Sequence, residues 1–100
     1  MMSKESLVTL QQAFDQRRSV YALGNELPVE PQAIVNMAER VWLHTPSAFN
    51  SQSSRLVVLF GAEHQKLWDI AEEKLRAAVG DGDFSGSKQK LDGFRAAAGT

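Results

Sequence analysis

Apolar residues open the chain at helical spacing. Leu7, Leu10 and Phe14 fall on one face of a 3.6-residue period and predict an amphipathic helix over about residues 4–16, with Ser3 or Ser6 as its N-cap. The following stretch, RRSVYALGNELPVEP, breaks that period and carries Gly24, Pro28 and Pro31. It reads as a connecting loop with a short extended piece at Val20–Leu23. Pro31 suits the first turn of a helix, where its missing N–H has no intrahelical partner to lose. Ile34, Met37, Ala38, Val41 and Trp42 share a face after it, so a second helix is predicted to about His44. It stops at Thr45-Pro46, because a proline disfavours helical geometry in the residue before it. TPSAFNSQSS is then a polar loop, longer than a simple reversal of the chain requires.

Arg55–Phe60 is the one clear strand predicted. Its apolar run is continuous and not alternating, the pattern of a strand buried on both faces. After Gly61, the spacing of Leu67, Ile70, Ala71, Leu75 and Ala78 predicts a third helix from about Glu63 to Val79, stopped by Gly80-Asp81-Gly82. A fourth, over about Ser87–Ala98, would use Leu91 and Phe94 as its apolar contacts. A doubly buried strand cannot satisfy its backbone alone. Val20–Leu23, another chain, or sheet lying outside this sequence must pair with it.

Composition narrows the function classes. A chain of 100 residues is one domain by length and buries only roughly 60–65% of its unfolded surface, so a covering partner would matter to its stability. The 11 basic and 12 acidic residues nearly cancel and neither sign forms a block, which argues against a nucleic-acid partner. There are no cysteines, so disulfides, thiolate catalysis and zinc–cysteine sites are excluded. The first residues, MMSKESLVTLQQAF, lack the apolar run of a signal peptide, and LVVLF at 56–60 is too short to span a bilayer. A soluble, cytoplasmic protein with no membrane partner is expected.

Two segments could carry chemistry. Arg17-Arg18-Ser19 places two guanidinium forks and a hydroxyl in a loop, a donor set suited to a phosphate; the same residues also suit solvated charges facing a helix C-terminus. In Ser47-Ala48-Phe49-Asn50-Ser51-Gln52, the Asn and Gln amides offer both donors and acceptors, matching the mixed edge of a heteroaromatic ring; they also suit a loop that satisfies its own backbone. His44 and His64 lack metal-ligand spacing, and Trp42 and Trp68 sit among apolar helix positions as packing residues. Glu72-Glu73-Lys74 reads as a solvated helix face, and Gly80-Asp81-Gly82 as a turn and not a dinucleotide fingerprint.

Taken in order, a helix ending in RRS, a proline-initiated helix, and TPSAFNSQ leading into an apolar strand resemble the opening of the FMN-dependent nitroreductases. The wording HTPSAFNSQSSRLVVLFG, then HQKLWDIAEEKLR and KLDGF, is most similar to the subgroup of fungal nitroreductase-like proteins and their bacterial relatives. The resemblance covers nearly the whole chain. It implies an α+β, nitroreductase-like fold, of which this sequence supplies the mostly helical N-terminal half with one strand at about 55–60. It also implies that residues 1–100 are the N-terminal part of a single, apparently truncated domain.

The resemblance further assigns residues. Arg17 and Ser19 would hold the FMN phosphate with Arg18 alongside, and Pro46 and Ser47 would line the flavin from the partner subunit of a homodimer. Asn50 and Gln52 match the polar positions that follow. Where many relatives carry a lysine two residues after the serine, this chain has Tyr21; Lys90 is the candidate substitute. The implied activity is ping-pong hydride transfer from NADH or NADPH through FMN to a nitroaromatic or quinone, with no side-chain nucleophile or base. The cofactor would carry the redox chemistry and the protein would bind, orient and tune it. Two other readings stand beside it, a non-catalytic helical interaction domain and a fragment that does not bind flavin by itself.

Overall fold

Local chemistry sets where each helix begins and ends. The computed structural model describes residues 2–100, in which α1 spans Lys4–Gln16, α2 Pro31–His44, α3 Gly61–Val79 and α4 Ser85–Arg95. Ser3 caps α1, its Oγ accepting the Ser6 N–H at 3.1 Å. Pro31 opens α2, and the Thr45 hydroxyl donates to the Val41 carbonyl at 2.6 Å at its other end. Gly80 stops α3 with φ 64, a conformation a side chain would strain. At the start of α4 the Asp83 carboxylate accepts both the Ser85 N–H, at 2.9 Å, and the Ser85 hydroxyl, at 2.7 Å.

Among the described residues there is no β-sheet, and the strand expected over about 55–60 is reduced to its last residues. Phe60 and Gly99 form an isolated antiparallel bridge. Leu59 N–H donates to the Thr100 carbonyl at 2.8 Å, Thr100 N–H returns to the Leu59 carbonyl at 2.9 Å, and Gly61 N–H donates to Ala98 at 3.2 Å. A strand needs a neighbouring backbone. Residues 98–100 are the piece of this chain that supplies one, and they reach only the end of the run. Val20–Leu23 does not pair with it; Leu23 N–H turns back to the Tyr21 carbonyl at 3.0 Å. The same bridge explains why α4 stops at Arg95 and not near Ala98: residues 96–100 leave the helix to meet Leu59–Gly61.

Only α3 and α4 pack against each other among the described residues. Among the described residues Leu91 is the one buried apolar side chain and His64 the one buried polar one. The His64 ring meets Trp68 edge-on at 6.4 Å, Trp68 lies 5.2 Å from Phe94, and the Arg76 guanidinium sits 4.5 Å over the Phe84 ring. Charges close the rest of the seam. Arg95 pairs with Asp69 at 3.2 Å, Glu72 at 3.4 Å and Asp92 at 2.6 Å, and Lys88 pairs with Glu72 at 2.7 Å and Asp92 at 2.8 Å.

Helices α1 and α2 have no such partner. Every residue of α1 is exposed, and Leu7, Leu10, Phe14, Met37, Val41 and Leu43 face solvent. The radius of gyration is 17.8 Å, against about 13 Å for a compact domain of this length. The accessible surface is 8629 Å², where a compact chain of this mass would expose about 5,600 Å².

Two outcomes follow from this packing. Gly99→Ala would place a Cβ 2.5 Å from the Leu59 carbonyl oxygen. The bridge must then open, costing about 1–2 kcal/mol for its hydrogen bonds, seen as a lower unfolding midpoint and faster amide exchange at Leu59 and Thr100. Stability should also depend on acidity with a definite sign. The hydrogen bonds from Lys88 hold the Glu72 and Asp92 carboxyls below their ordinary values of 4.5 and 3.8, and Asp92, then Glu72, raises Lys88 above its ordinary 10.5. The carboxylate contribution is therefore complete above those ordinary carboxylate values and is lost as pH falls through the depressed ones. The lysine contribution is complete below 10.5 and is lost as pH rises through its raised value. Unfolding midpoints followed by circular dichroism should fall in both outer windows, and Lys88→Met should flatten both limbs.

Candidate functional site

The segment after α2 builds a cavity from its own backbone geometry. Pro46 fixes the direction in which the chain leaves the helix, and Ala48–Asn50 follows as a single 3-10 turn. Asn50 N–H donates to the Ser47 carbonyl at 2.9 Å and Ser51 N–H to the Ala48 carbonyl at 3.1 Å. Gln52 N–H then donates to the Ser47 hydroxyl at 3.0 Å, closing the loop at its base. Phe49, Asn50 and Gln52 all hold left-handed backbones, with φ of 55, 56 and 50. Asparagine tolerates that region; phenylalanine and glutamine enter it seldom.

Pro46, Ser47 and Gln52 line a cavity of about 280 Å³ with Thr45 and Ser54, closed on the helix side by Trp42 and Leu43 and bordered by Arg55. Asn50 does not line it. The Arg55 guanidinium is drawn back to its own strand of chain, Nη1 donating to the carbonyls of Ser53 at 3.3 Å and Ser54 at 3.0 Å.

The second expected cluster lies beyond the end of α1. Arg17 Nη1 donates to the Ser19 hydroxyl at 3.5 Å, so those two groups point into one region of solvent. Arg18 is used differently: its Nη1 donates to the carbonyls of Asp15 and Arg17, each at 2.7 Å, satisfying acceptors left free at the helix C-terminus. No hydrogen bond or ion pair among the described residues joins 17–19 to 46–52, and neither Arg17 nor Ser19 borders the cavity. Tyr21 is exposed, as is Lys90 on α4. The structure thus groups Pro46, Ser47 and Gln52, and separately Arg17 with Ser19.

Comparison with known proteins decides what this arrangement belongs to. The nitroreductase family model matches residues 14–98. The chain belongs to the nitroreductase family. In Saccharomyces cerevisiae it is similar to HBN1, named as a candidate nitroreductase, with 39% identity over 66 residues, and to nitroreductase FRM2, with 34% identity over 68. These matches take in 64% and 66% of this chain but only 34% and 35% of the yeast proteins. Among solved structures, nitroreductase CinD from Lactococcus lactis in complex with chloramphenicol superposes with a TM-score of 0.67 at 32% identity, covering 90% of this chain and 44% of that one. CinD in complex with 4-nitrophenol gives 0.66 at the same identity and coverage. The fold is therefore nitroreductase-like, and the four helices described above are a fragment of it, spanning less than half the length of these relatives. No helix among the described residues is long and apolar enough to cross a membrane.

Within this nitroreductase-family chain, sequence reasoning missed Trp42, Leu43, Thr45, Ser54 and Arg55 as cavity residues. Trp42 was expected to pack in a core or interface; it is instead part-exposed and forms a cavity wall. Adjacency was the available signal, since all five flank the loop directly in sequence. Ser47→Ala removes the acceptor that closes the loop. With a hydrogen bond worth about 1 kcal/mol, amide exchange at Gln52 should accelerate about 5-fold, while the α3–α4 amides keep their rates.

Proposed function

We propose that this chain is the N-terminal part of a single nitroreductase-like domain whose protein is a cytoplasmic, homodimeric oxidoreductase, taking hydride from NADH or NADPH and reducing nitroaromatic or quinone-type molecules through FMN. The observation that carries the reading is that Pro46, Ser47 and Gln52, three residues matched to the flavin wall, border one cavity in a chain of this family. The ligands of CinD, chloramphenicol and 4-nitrophenol among them, support a small aromatic substrate.

The donor chemistry of the residues fits the cofactor. Arg17 and Ser19 together present a guanidinium and a hydroxyl to solvent, a combination that grips a phosphate through charge-assisted hydrogen bonds. Arg18, with Nη1 held by the helix end, adds positive charge beside them. Ser47 and Gln52 present polar groups at the cavity wall and Asn50 another on the same loop, suited to the heteroatom edge of a flavin, while Trp42 and Leu43 add apolar surface to the wall. Bound FMN would supply the acceptor and donor of hydride; the side chains bind and orient, and none is required as nucleophile or base. Because Arg17–Ser19 and Pro46–Gln52 are not joined within the chain, a complete site on this reading takes one segment from each of two subunits. A second reading, a non-catalytic helical interaction domain, draws on the uncovered apolar faces of α1 and α2.

The test is an FMN titration followed by flavin fluorescence and absorbance, on the chain and on an Arg17→Ala, Ser19→Ala variant. Micromolar binding is expected, weakened about 10-fold or more in the variant by loss of charge-assisted contacts, with NADH oxidation assayed on the loaded protein. Absence of binding by a chain shown to be helical would exclude flavin chemistry for these residues alone and favour the interaction-domain reading.

A further inference from the structure

One titratable side chain is enclosed by the α3–α4 seam and takes no part in the candidate site. His64 is only 1% exposed. Its backbone N–H donates to the Phe60 carbonyl at 3.4 Å, and its ring Nε2 lies 3.2 Å from the Arg95 carbonyl. Those contacts hold both sides of the antiparallel bridge. Phe60 is one member of it, and Arg95 ends the helix from which residues 96–100 run to Gly99 and Thr100. The ring thus fastens the start of α3 to the end of α4, next to the paired backbones of Leu59 and Thr100.

A carbonyl only accepts, so Nε2 carries the hydrogen and Nδ1 the lone pair of a neutral ring. Nδ1 is buried and has no hydrogen-bond partner among the described residues. Protonation would make it a second N–H, on a buried cation, with no acceptor to meet it. The charged groups of the seam are already committed elsewhere. On α3, Asp69 and Glu72 pair with Arg95, and Glu72 also with Lys88; on α4, Asp92 pairs with both Arg95 and Lys88. The Arg95 guanidinium adds positive charge to the same seam. The carbonyl end of α4 attracts a cation, but the neutral ring already serves it through its Nε2–H. The packed seam therefore takes the neutral ring, whereas a seam opened to water takes either form.

We propose that His64 is an acid-sensitive latch: protonation of its ring releases the end of α4 and, with it, residues 96–100 from Leu59–Gly61. The opened chain binds a proton that the packed one does not, so acidification favours opening. The backbone of Leu59–Gly61, otherwise closed by the bridge, then becomes free to pair with another strand. The latch needs no flavin and stands apart from the reading under Proposed function. It works in the range of a solvated imidazole, about pH 6.5. Across that range the Glu72 and Asp92 carboxyls, held by Lys88 below their ordinary values of 4.5 and 3.8, keep their charge.

The test is amide exchange followed by NMR on the 100-residue chain, expressed as protection relative to the intrinsic rate at each pH. Protection at Leu59 and Thr100 should fall about 10-fold between about pH 7.5 and about pH 5.5, the increase in proton binding by a solvated imidazole over that interval. The His64 ring resonances should titrate with the same midpoint. His64→Gln keeps a neutral amide donor for the Arg95 carbonyl, and should retain the bridge protection at both pH values. His44→Gln, altering the exposed histidine at the end of α2, should behave like the parent. Constant protection in the parent, a fall that persists in His64→Gln, a His64 ring that titrates while the bridge stays protected, or no protection at either pH would each overturn the proposal. If His64→Gln does not fold, the parent decides alone, because ring and bridge must titrate together.

Discussion

Arg95 is the residue through which the one packed part of the chain is held. Its guanidinium reaches Asp69 and Glu72 on α3 and Asp92 on its own helix, and donates to the Trp68 carbonyl at 3.4 Å. Its backbone carbonyl, at the end of α4, receives the His64 ring nitrogen at 3.2 Å and the Gln65 amide at 2.8 Å. Side chain and main chain of one residue thus fix both the separation and the register of the two helices. A largely desolvated arginine is costly to bring out of water, and its ion pairs offset that cost only because several acceptors converge on it. Removing one partner would leave the guanidinium undercompensated. Such a seam specifies one arrangement of α3 against α4 more than it adds stability, and Leu91 alone supplies little of the apolar burial that normally does so.

Everything that could bind a ligand lies outside that seam. Arg17, Ser19 and the 46–52 loop belong to a region whose helices meet nothing, and the accessible surface exceeds that of a compact chain of this mass by about 3,000 Å². An excess of that size is comparable with what large, permanent protein interfaces bury. The exposed faces of α1 and α2 and the backbone of residues 55–58 are therefore one problem: apolar surface and hydrogen-bonding groups that find no partner among the described residues. The length of the relatives agrees, since the chain spans 44% of CinD.

What was legible in the sequence divides along the same line. The helices were readable because their signals are local: Ser3 as a cap, Pro31 at a first turn, Pro46 and Gly80 as stops, and apolar residues at helical spacing. The RLVVLF run has the pattern of a strand buried on both faces, yet Leu56 and Val57 are exposed, because burial is a property of neighbours and residues 98–100 meet only the end of the run. The ion-pair seam was read as a solvated face because Glu72 looks like any helix-surface carboxylate until Lys88 and Arg95 arrive from another helix. Of the candidate site, the loop was legible from its amides and hydroxyls. The use of Arg18 to close a helix end was visible only as an alternative, since the same side chain suits a phosphate equally well.

The left-handed turn was not legible at all, and it is where sequence and structure disagree most usefully. Three non-glycine residues of four adjacent positions adopt a conformation that none but asparagine favours. Local preference would relax this segment into an ordinary extended loop, with Ser47 and Gln52 drawn apart. The Ser47 hydroxyl, accepting the Gln52 N–H, and the two backbone bonds from Asn50 to Ser47 and from Ser51 to Ala48 hold them together. Three hydrogen bonds worth about 1 kcal/mol each offset part of the backbone strain, about 1–3 kcal/mol per position in the sparsely populated regions. The loop is in that sense a hydrogen-bonded turn that sets Ser47 and Gln52 at the cavity wall, and not a passive connection between helices.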